Sequence, residues 1–312
     1  MSALRPFRFG VQASNVADAA SWTALARKVE ALGYSTLTMP DHFDQQLAPV
    51  PALMAAAAVT TTLRIGALVW DNDYRHPIVL AKELATLDML SEGRLEIGIG
   101  AGWLATDYAS SGIPYDSSKV RVDRFEEGLE VIKGALSCER FSFSGKHYAI
   151  TDFTGSPRPV QSPRPPILIG AGGKRMLTIA ARHADIVGIN GTLSAGVVGP
   201  EAIATMTAEA VDTKLHTLRA AAGATFADLE LNVRAFMVRV TSERQEVMEQ
   251  IAGFVQVDPA MVAESPFALV GSPAELVDDL LRRRERWGIS YVIVGADDVE
   301  PFAPVVAELA GR

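Results

Sequence analysis

The chain has 312 residues, of which 48 % are hydrophobic and 21 % charged, a composition ordinary for one large α/β domain or two smaller ones. A net charge of −8 and a pI of 5.2 argue against nucleic acid or an anionic membrane surface as partner, and the longest small-apolar stretch, 51–59 (PALMAAAAV), is too short to span a bilayer. The single cysteine, Cys138, cannot form an internal disulfide, and 1–12 (MSALRPFRFGVQ) lacks a long apolar core of the secretory kind, so a cytoplasmic home is expected.

Short apolar runs predict strands at 7–11, 35–39, 64–70 and 94–100, then at 167–170, 185–190, 231–240 and 291–294. The first four start about 30 residues apart, the length of a strand-helix repeat, and their near-continuous apolar character suits a parallel sheet covered by helices. The intervening helices carry legible ends. Trp22 to Leu32 stops at Gly33, and His76-Pro77 opens a helix that ends by Gly93. Ser272-Pro273-Ala274-Glu275 spells a capping box with proline in the first turn. Eight strands alternating with helices predict a (β/α)8 TIM barrel, a single domain over 1–312, rather than a doubly wound sheet. Two stretches break the repeat. Residues 138–166 read as a hairpin-bearing loop, and residues 191–229 begin with GTLSAGVVGP and continue as an alanine-rich helix. Both are expected around the barrel mouth as lid insertions.

Function in such barrels collects at the C-terminal ends of the strands. The predicted tips are Gln12, Asp41-His42, Trp70, Gly100-Ala101-Gly102-Trp103, Gly170 to Lys174, and Asn190; Trp22 and Trp287 fall in helices and read as packing. Asp41-His42 has two readings: a turn cap with a packed imidazole, or an imidazole that moves a proton near neutral pH. Metal and nucleophilic catalysis find no support. The five histidines show no H-x-H or H-E-x-x-H spacing, G-x-S-x-G is absent, and Cys138 has no evident activating partner. Gly170-Ala171-Gly172-Gly173-Lys174-Arg175, opening a helix, is either a tight turn or an anion site with two added cations. RRRER at 282–286 reads as a solvated helix face.

The segments GYSTLTMPDHF, RIGALVWDNDYRHPIVLAKELATLDMLSEGRLEIGIGAGW, ILIGAGGKRMLTIAARHADIV and GSPAELVDDLLRRRERWGISYVIV together resemble the luciferase-like flavin family. That resemblance implies a (β/α)8 barrel, usually homodimeric, with a flavin or the deazaflavin F420 across its mouth. It casts His42 as proton donor or acceptor and Asp41 as a polar contact at the reacting ring edge. It puts a non-proline cis peptide near Leu68–Val69, with Gly100, Ala101, Gly102 and Thr106 along the ring and ribityl chain. Ala171, Gly172, Gly173 and Lys174 would take the phosphate, although the usual phosphate site of these barrels follows strands seven and eight. Trp103 replaces an acid found in some sugar-phosphate-oxidising relatives, which implies an apolar substrate pocket bounded by Gln12, Trp70, Trp103 and Asn190. The expected activity is F420-dependent hydride transfer to or from a small organic substrate. The alternative is an FMN-dependent monooxygenase fed by a separate flavin reductase, and a flavin-binding, non-catalytic protein is a third class.

Overall fold

Eight parallel strands form the wall: β1 (Arg8–Gln12), β2 (Thr36–Met39), β3 (Arg64–Ala67), β4 (Leu95–Gly100), β5 (Ile167–Ala171), β6 (Ile186–Ile189), β7 (Glu230–Arg234) and β8 (Ile289–Gly295). The computed structural model describes residues 5–312. Strand β1 pairs with both β2 and β8, and β3 pairs with β4, so the sheet closes without an open edge. This is the (β/α)8 barrel that the alternation predicts. A short piece, Trp70–Asp71, continues β3 after a break and pairs with the end of β4.

Alternation along each strand separates two apolar layers. Ile167, Ile169, Val187, Ile189, Val292 and Val294 pack outward with the helices, while Leu168, Ile186, Tyr291 and Ile293 cluster inside with Leu68 and Val69. At the N-terminal end the barrel is closed by ions. Arg8 binds Glu96 at 2.6 Å and Glu230 at 2.7 Å, Arg64 binds Glu96 at 2.6 Å, and the Arg8 guanidinium lies 3.5 Å from the Tyr291 ring centroid. That floor leaves the C-terminal end as the open mouth.

The helix ends follow the sequence. Ser272 and Glu275 form the reciprocal capping box of helix Pro273–Trp287, and His76 caps helix Pro77–Leu90, with Pro77 in its first turn. Gly33, at φ +82°, follows helix Ala19–Ala31 in the left-handed conformation that glycine adopts without penalty. Trp22 and Trp287 are buried, as packing residues. Arg283, inside the run read as a solvated face, is instead buried and donates to Ala268 O at 2.8 Å. Among the described residues no helix is long and apolar enough to cross a membrane.

Two expectations need correction. The run 231–240 is not one strand: Ala235 N–H still donates to Ile293 O, but Phe236 N–H donates to Phe267 O, so the chain leaves the barrel there. Met237–Val240 pairs in parallel with Ala268–Gly271, and helices Arg244–Val255 and Pro259–Glu264 lie between them. The apolar run Ala235-Phe236-Met237-Val238 carries the chain through the switch with no Gly or Pro to mark it, although the apolar positions change from odd to even across it. Second, helix Ala208–Ala222 is the ordinary barrel helix after β6, and only about 191–207 is inserted at the mouth. The 138–166 hairpin (Phe141–Ser144 with Ala149–Phe153) forms and packs along a barrel helix, with Tyr148 reaching Asn72 at 3.4 Å and standing edge-on to His76. It follows helix Ser118–Ser137, which returns the chain to the floor end. Glu127 of that helix accepts from the amides of Lys146, His147 and Tyr148 at 2.8, 2.8 and 3.2 Å, and Gln161 reaches Leu95 O at the start of β4 at 2.8 Å.

Candidate active site

Beyond β2, Pro40 and Asp41 carry the chain to His42 at the mouth. His42 Nδ1 lies 2.6 Å from Asp107 Oδ2, which also accepts from the Tyr74 hydroxyl at 2.9 Å. Asp107 sits in the first turn of helix Ala105–Ser111, where backbone N–H groups favour a negative charge, and is buried. A carboxylate there accepts, so Nδ1 carries the proton and Nε2 is left for chemistry. The His42 side chain is 22 % exposed, and the half-buried Trp103 stands edge-on to it with ring centroids 5.8 Å apart. Burial, then the nearby Asp71 charge, hold the Tyr74 hydroxyl far above its usual pKa. Sequence reading missed Asp107 and Tyr74. Asp107 lies 65 positions from His42, and no short motif links them.

Asp41 is bound within the chain. Its Oδ2 accepts from Arg75 Nη1 at 2.6 Å and from Asp71 N–H at 3.2 Å, its Oδ1 from Arg75 Nη2 at 3.3 Å, and it is 5 % exposed. It anchors the end of β3 and does not hold His42. Below it lies Asp71, whose carboxyl burial pushes up to about 7; the charges of Asp73 and Asp41 add to the push. Hydrogen bonds from Asp73 N–H at 2.8 Å and from the Tyr108 hydroxyl at 3.3 Å offset part of it. Asp73 is paired with Arg124 through two 2.7 Å contacts. Gly102, at φ +75°, closes over this cluster; a Cβ there would lie 1.9 Å from the Tyr108 hydroxyl and 2.6 Å from Asp71 Oδ2.

Trp70 is a further correction. It pairs beside the outward-facing Ile99, is fully buried among the helices, and does not line the mouth. Residues side by side on parallel strands share a face, and the break after Ala67 decides which face Trp70 takes.

The other tips converge on the barrel axis. The Leu68–Val69 peptide is cis. Gln12 Nε2 donates to Leu68 O at 2.8 Å and its Oε1 accepts from Arg234 Nε at 3.0 Å, so tips of β1, β3 and β7 are joined by one amide. A Cβ at Gly100 would meet Val69 Cγ2 at 2.8 Å. Ala101 is buried, whereas Thr106 is exposed on the next helix. At the β5 tip, after Ala171, a Cβ on Gly172 would lie 2.0 Å from Gly191 O, so two loops touch backbone to backbone. Gly173 is the N-cap of helix Lys174–His183 and offers no side-chain cap, leaving first-turn N–H groups open. Lys174 is exposed and has no ion-pair partner among the described residues, while Arg175 is committed to Asp123 at 2.5 Å. This loop follows the fifth strand, as the strand count predicts. Asn190 Oδ1 accepts from Gly191 N–H at 2.8 Å, closing its own turn. The Asn190 carbonyl accepts from Lys214 Nζ at 2.7 Å, and burial pushes that ammonium down to about 8.

A family model for luciferase-like monooxygenases matches residues 2–265. The chain belongs to the luciferase-like monooxygenase family. Within the family it is 26 % identical over 247 residues to an FMNH(2)-dependent dimethylsulfone monooxygenase of Pseudomonas putida, covering 76 % of this chain and 64 % of that protein. It is 31 % identical over 192 residues to an F420-dependent glucose-6-phosphate dehydrogenase of Microbacterium testaceum, covering 58 % and 55 %. The match thus spans less than two thirds of either curated relative. Two solved structures share the fold over nearly their whole length. The coenzyme F420 dependent tetrahydromethanopterin reductase from Methanopyrus kandleri superposes with a TM-score of 0.75 at 19 % identity, covering 97 % of this chain and 98 % of that one. The monooxygenase RslO1 from Streptomyces bottropensis gives 0.73 at 26 % identity, covering 96 % of both. The family match stops short of β8, so it includes every strand tip described above.

Proposed function

We propose that the protein is an F420-dependent oxidoreductase that moves a hydride between the deazaflavin and a small organic substrate. The observation that carries this reading is His42 at the mouth, tied through Nδ1 to the buried Asp107 carboxylate and flanked by Trp103. F420, when bound, supplies a ring carbon that gives or takes a hydride. The protein's own residues do the rest. Asp107 fixes the tautomer and orientation of His42, so Nε2 can take a proton from the substrate or return one. Gly100, Ala101 and Gly102 leave backbone low enough for a flat ring to lie over Leu68 and Val69. Gly172, Gly173 and Lys174 offer open N–H groups and one ammonium to a phosphate, with Thr106 beside the connecting chain. Trp103 helps keep water from the reacting edge. A homodimer in the cytoplasm is the setting we assign to this activity.

A second reading is an FMN-dependent monooxygenase that receives reduced flavin from a separate reductase. The longest match to a curated relative quoted above, over 247 residues, is to an FMNH(2)-dependent enzyme and favours it. Titrating the purified protein with F420 and with FMN, each oxidised and reduced, separates the two. Binding of F420 well below the FMN concentration needed is the expected result. FMN binding without F420 binding would turn the assignment to the second reading, and binding of neither would overturn both.

A further inference from the structure

Arg234 ends β7 at the mouth, in register with the inward-facing Ile293 of β8. Its Nε donates to Gln12 Oε1 at 3.0 Å and its Nη1 to Ala235 O, while Nη2 has no hydrogen-bond acceptor among the described residues. Gly295 keeps that nitrogen clear, since a Cβ there would come within 3.2 Å of it. Asp298 is the acid whose charge Arg234 feels, but it accepts instead from Gly295 N–H at 3.3 Å and forms no ion pair with the guanidinium. The contrast with Arg8, Arg75 and Arg124 is plain, because each of those is bound to carboxylate at 2.6–2.8 Å. Burial pushes the Arg234 guanidinium down to about 10, which leaves it charged at neutral pH. A half-buried cation with no carboxylate in direct contact is costly unless an anion arrives to answer it. Gln12, itself fixed on Leu68 O, holds the guanidinium fork in one orientation, as bidentate recognition of an oxyanion requires. Beside it Phe236 is 50 % exposed, its ring centroid 5.5 Å from the guanidinium carbon, and Met206, Met261 and Phe267 line the adjoining apolar groove.

We infer that the substrate is a small organic anion whose carboxylate or sulfonate docks on Arg234, with a short apolar tail lying over Phe236. The inference rests on the mouth being the substrate site of the proposed oxidoreductase, and it replaces the wholly apolar pocket that the sequence suggests. The geometry requires only the charge and the tail, so hexanoate, hexane-1-sulfonate and the neutral hexanamide serve as probes.

Isothermal titration of the three into wild type, Arg234→Gln and Arg234→Lys is the test, with F420 and FMN titrated into the same proteins. Both anions should bind wild type at least about tenfold more tightly than hexanamide, and the tighter of the two identifies the head group. Arg234→Gln should lose about tenfold or more for the anions while keeping its coenzyme affinity, and Arg234→Lys should recover part of the loss. Equal binding of hexanamide and the anions to wild type overturns the inference, and that comparison needs no variant to fold. So does failure of either anion to bind, unchanged anion affinity in Arg234→Gln, or loss of coenzyme affinity in its place. If neither coenzyme binds but the anion series behaves as expected, the coenzyme assignment falls and the anion site stands.

Discussion

The tips of β2 to β4 and the tips of β5 to β7 face each other across the mouth on opposite electrostatic terms. On the first side three carboxylates are answered within the chain: Asp41 by Arg75, Asp73 by Arg124, and Asp107 by His42 and Tyr74. On the second side Lys174, Lys214 and Arg234 have no carboxylate partner among the described residues. An internally compensated side is preorganised, so it can hold one imidazole in one tautomer through a reaction. A side with uncompensated cations is suited to anions, which on the reading proposed above are a coenzyme phosphate at Lys174 and a substrate at Arg234.

The sharpest way to break this comparison is at its compensated side. His42→Ala should lower kcat by about 10²–10⁴ while leaving coenzyme affinity within about threefold, measured by steady-state turnover and by titration. An unchanged kcat would take the proton role away from this side altogether. Asp107→Asn should cost less, about 10–10²-fold in kcat, because His42 loses the acceptor that fixes its tautomer and orientation. An unchanged kcat would make Asp107 a packing group only.

Asp71 tests the same side through stability. Its folded pKa, about 7, lies above the ordinary carboxyl value, so the folded state prefers the protonated form. Ionisation therefore costs stability progressively as pH rises from about 4 to about 7, and the loss is complete above that. Asp71→Asn, which keeps an acceptor for Asp73 N–H, should be more stable than wild type by about 2–4 kcal/mol at pH 8 and nearly equal to it at pH 4. Chemical denaturation at the two pH values checks it; an equal effect at both would mean that Asp71 is ionised throughout.

On the uncompensated side, Lys174→Ala should weaken F420 binding by about tenfold, with a smaller salt dependence than wild type. Arg175→Ala, one residue on, should change it by less than about twofold, because Arg175 is already spent on Asp123. Equal losses at the two positions would erase the distinction between answered and unanswered charge.

Much of the fold is written in local pattern. All eight strands, the capping box at Ser272–Glu275 and the His76-Pro77 helix start need only neighbours in sequence, and so do the tip positions themselves. Facing is another matter. Trp70 looks like a tip residue until the break after Ala67 turns it outward, and nothing in the sequence marks Arg75 as the partner of Asp41. Asp107 and Arg234 matter through partners 65 and 222 positions away, which no periodicity connects. The stretch after β7 escapes notice because Phe236 changes partner within a continuous apolar run that has no Gly or Pro, and only a one-residue shift in the apolar phase marks the change.

A crystal structure with F420 bound tests the central claim most directly. The account predicts the ring edge against His42 Nε2, the phosphate on the amides of Gly173 and Lys174, and Arg234 still unpaired. A phosphate seated on Arg234, with the ring away from His42, would contradict it.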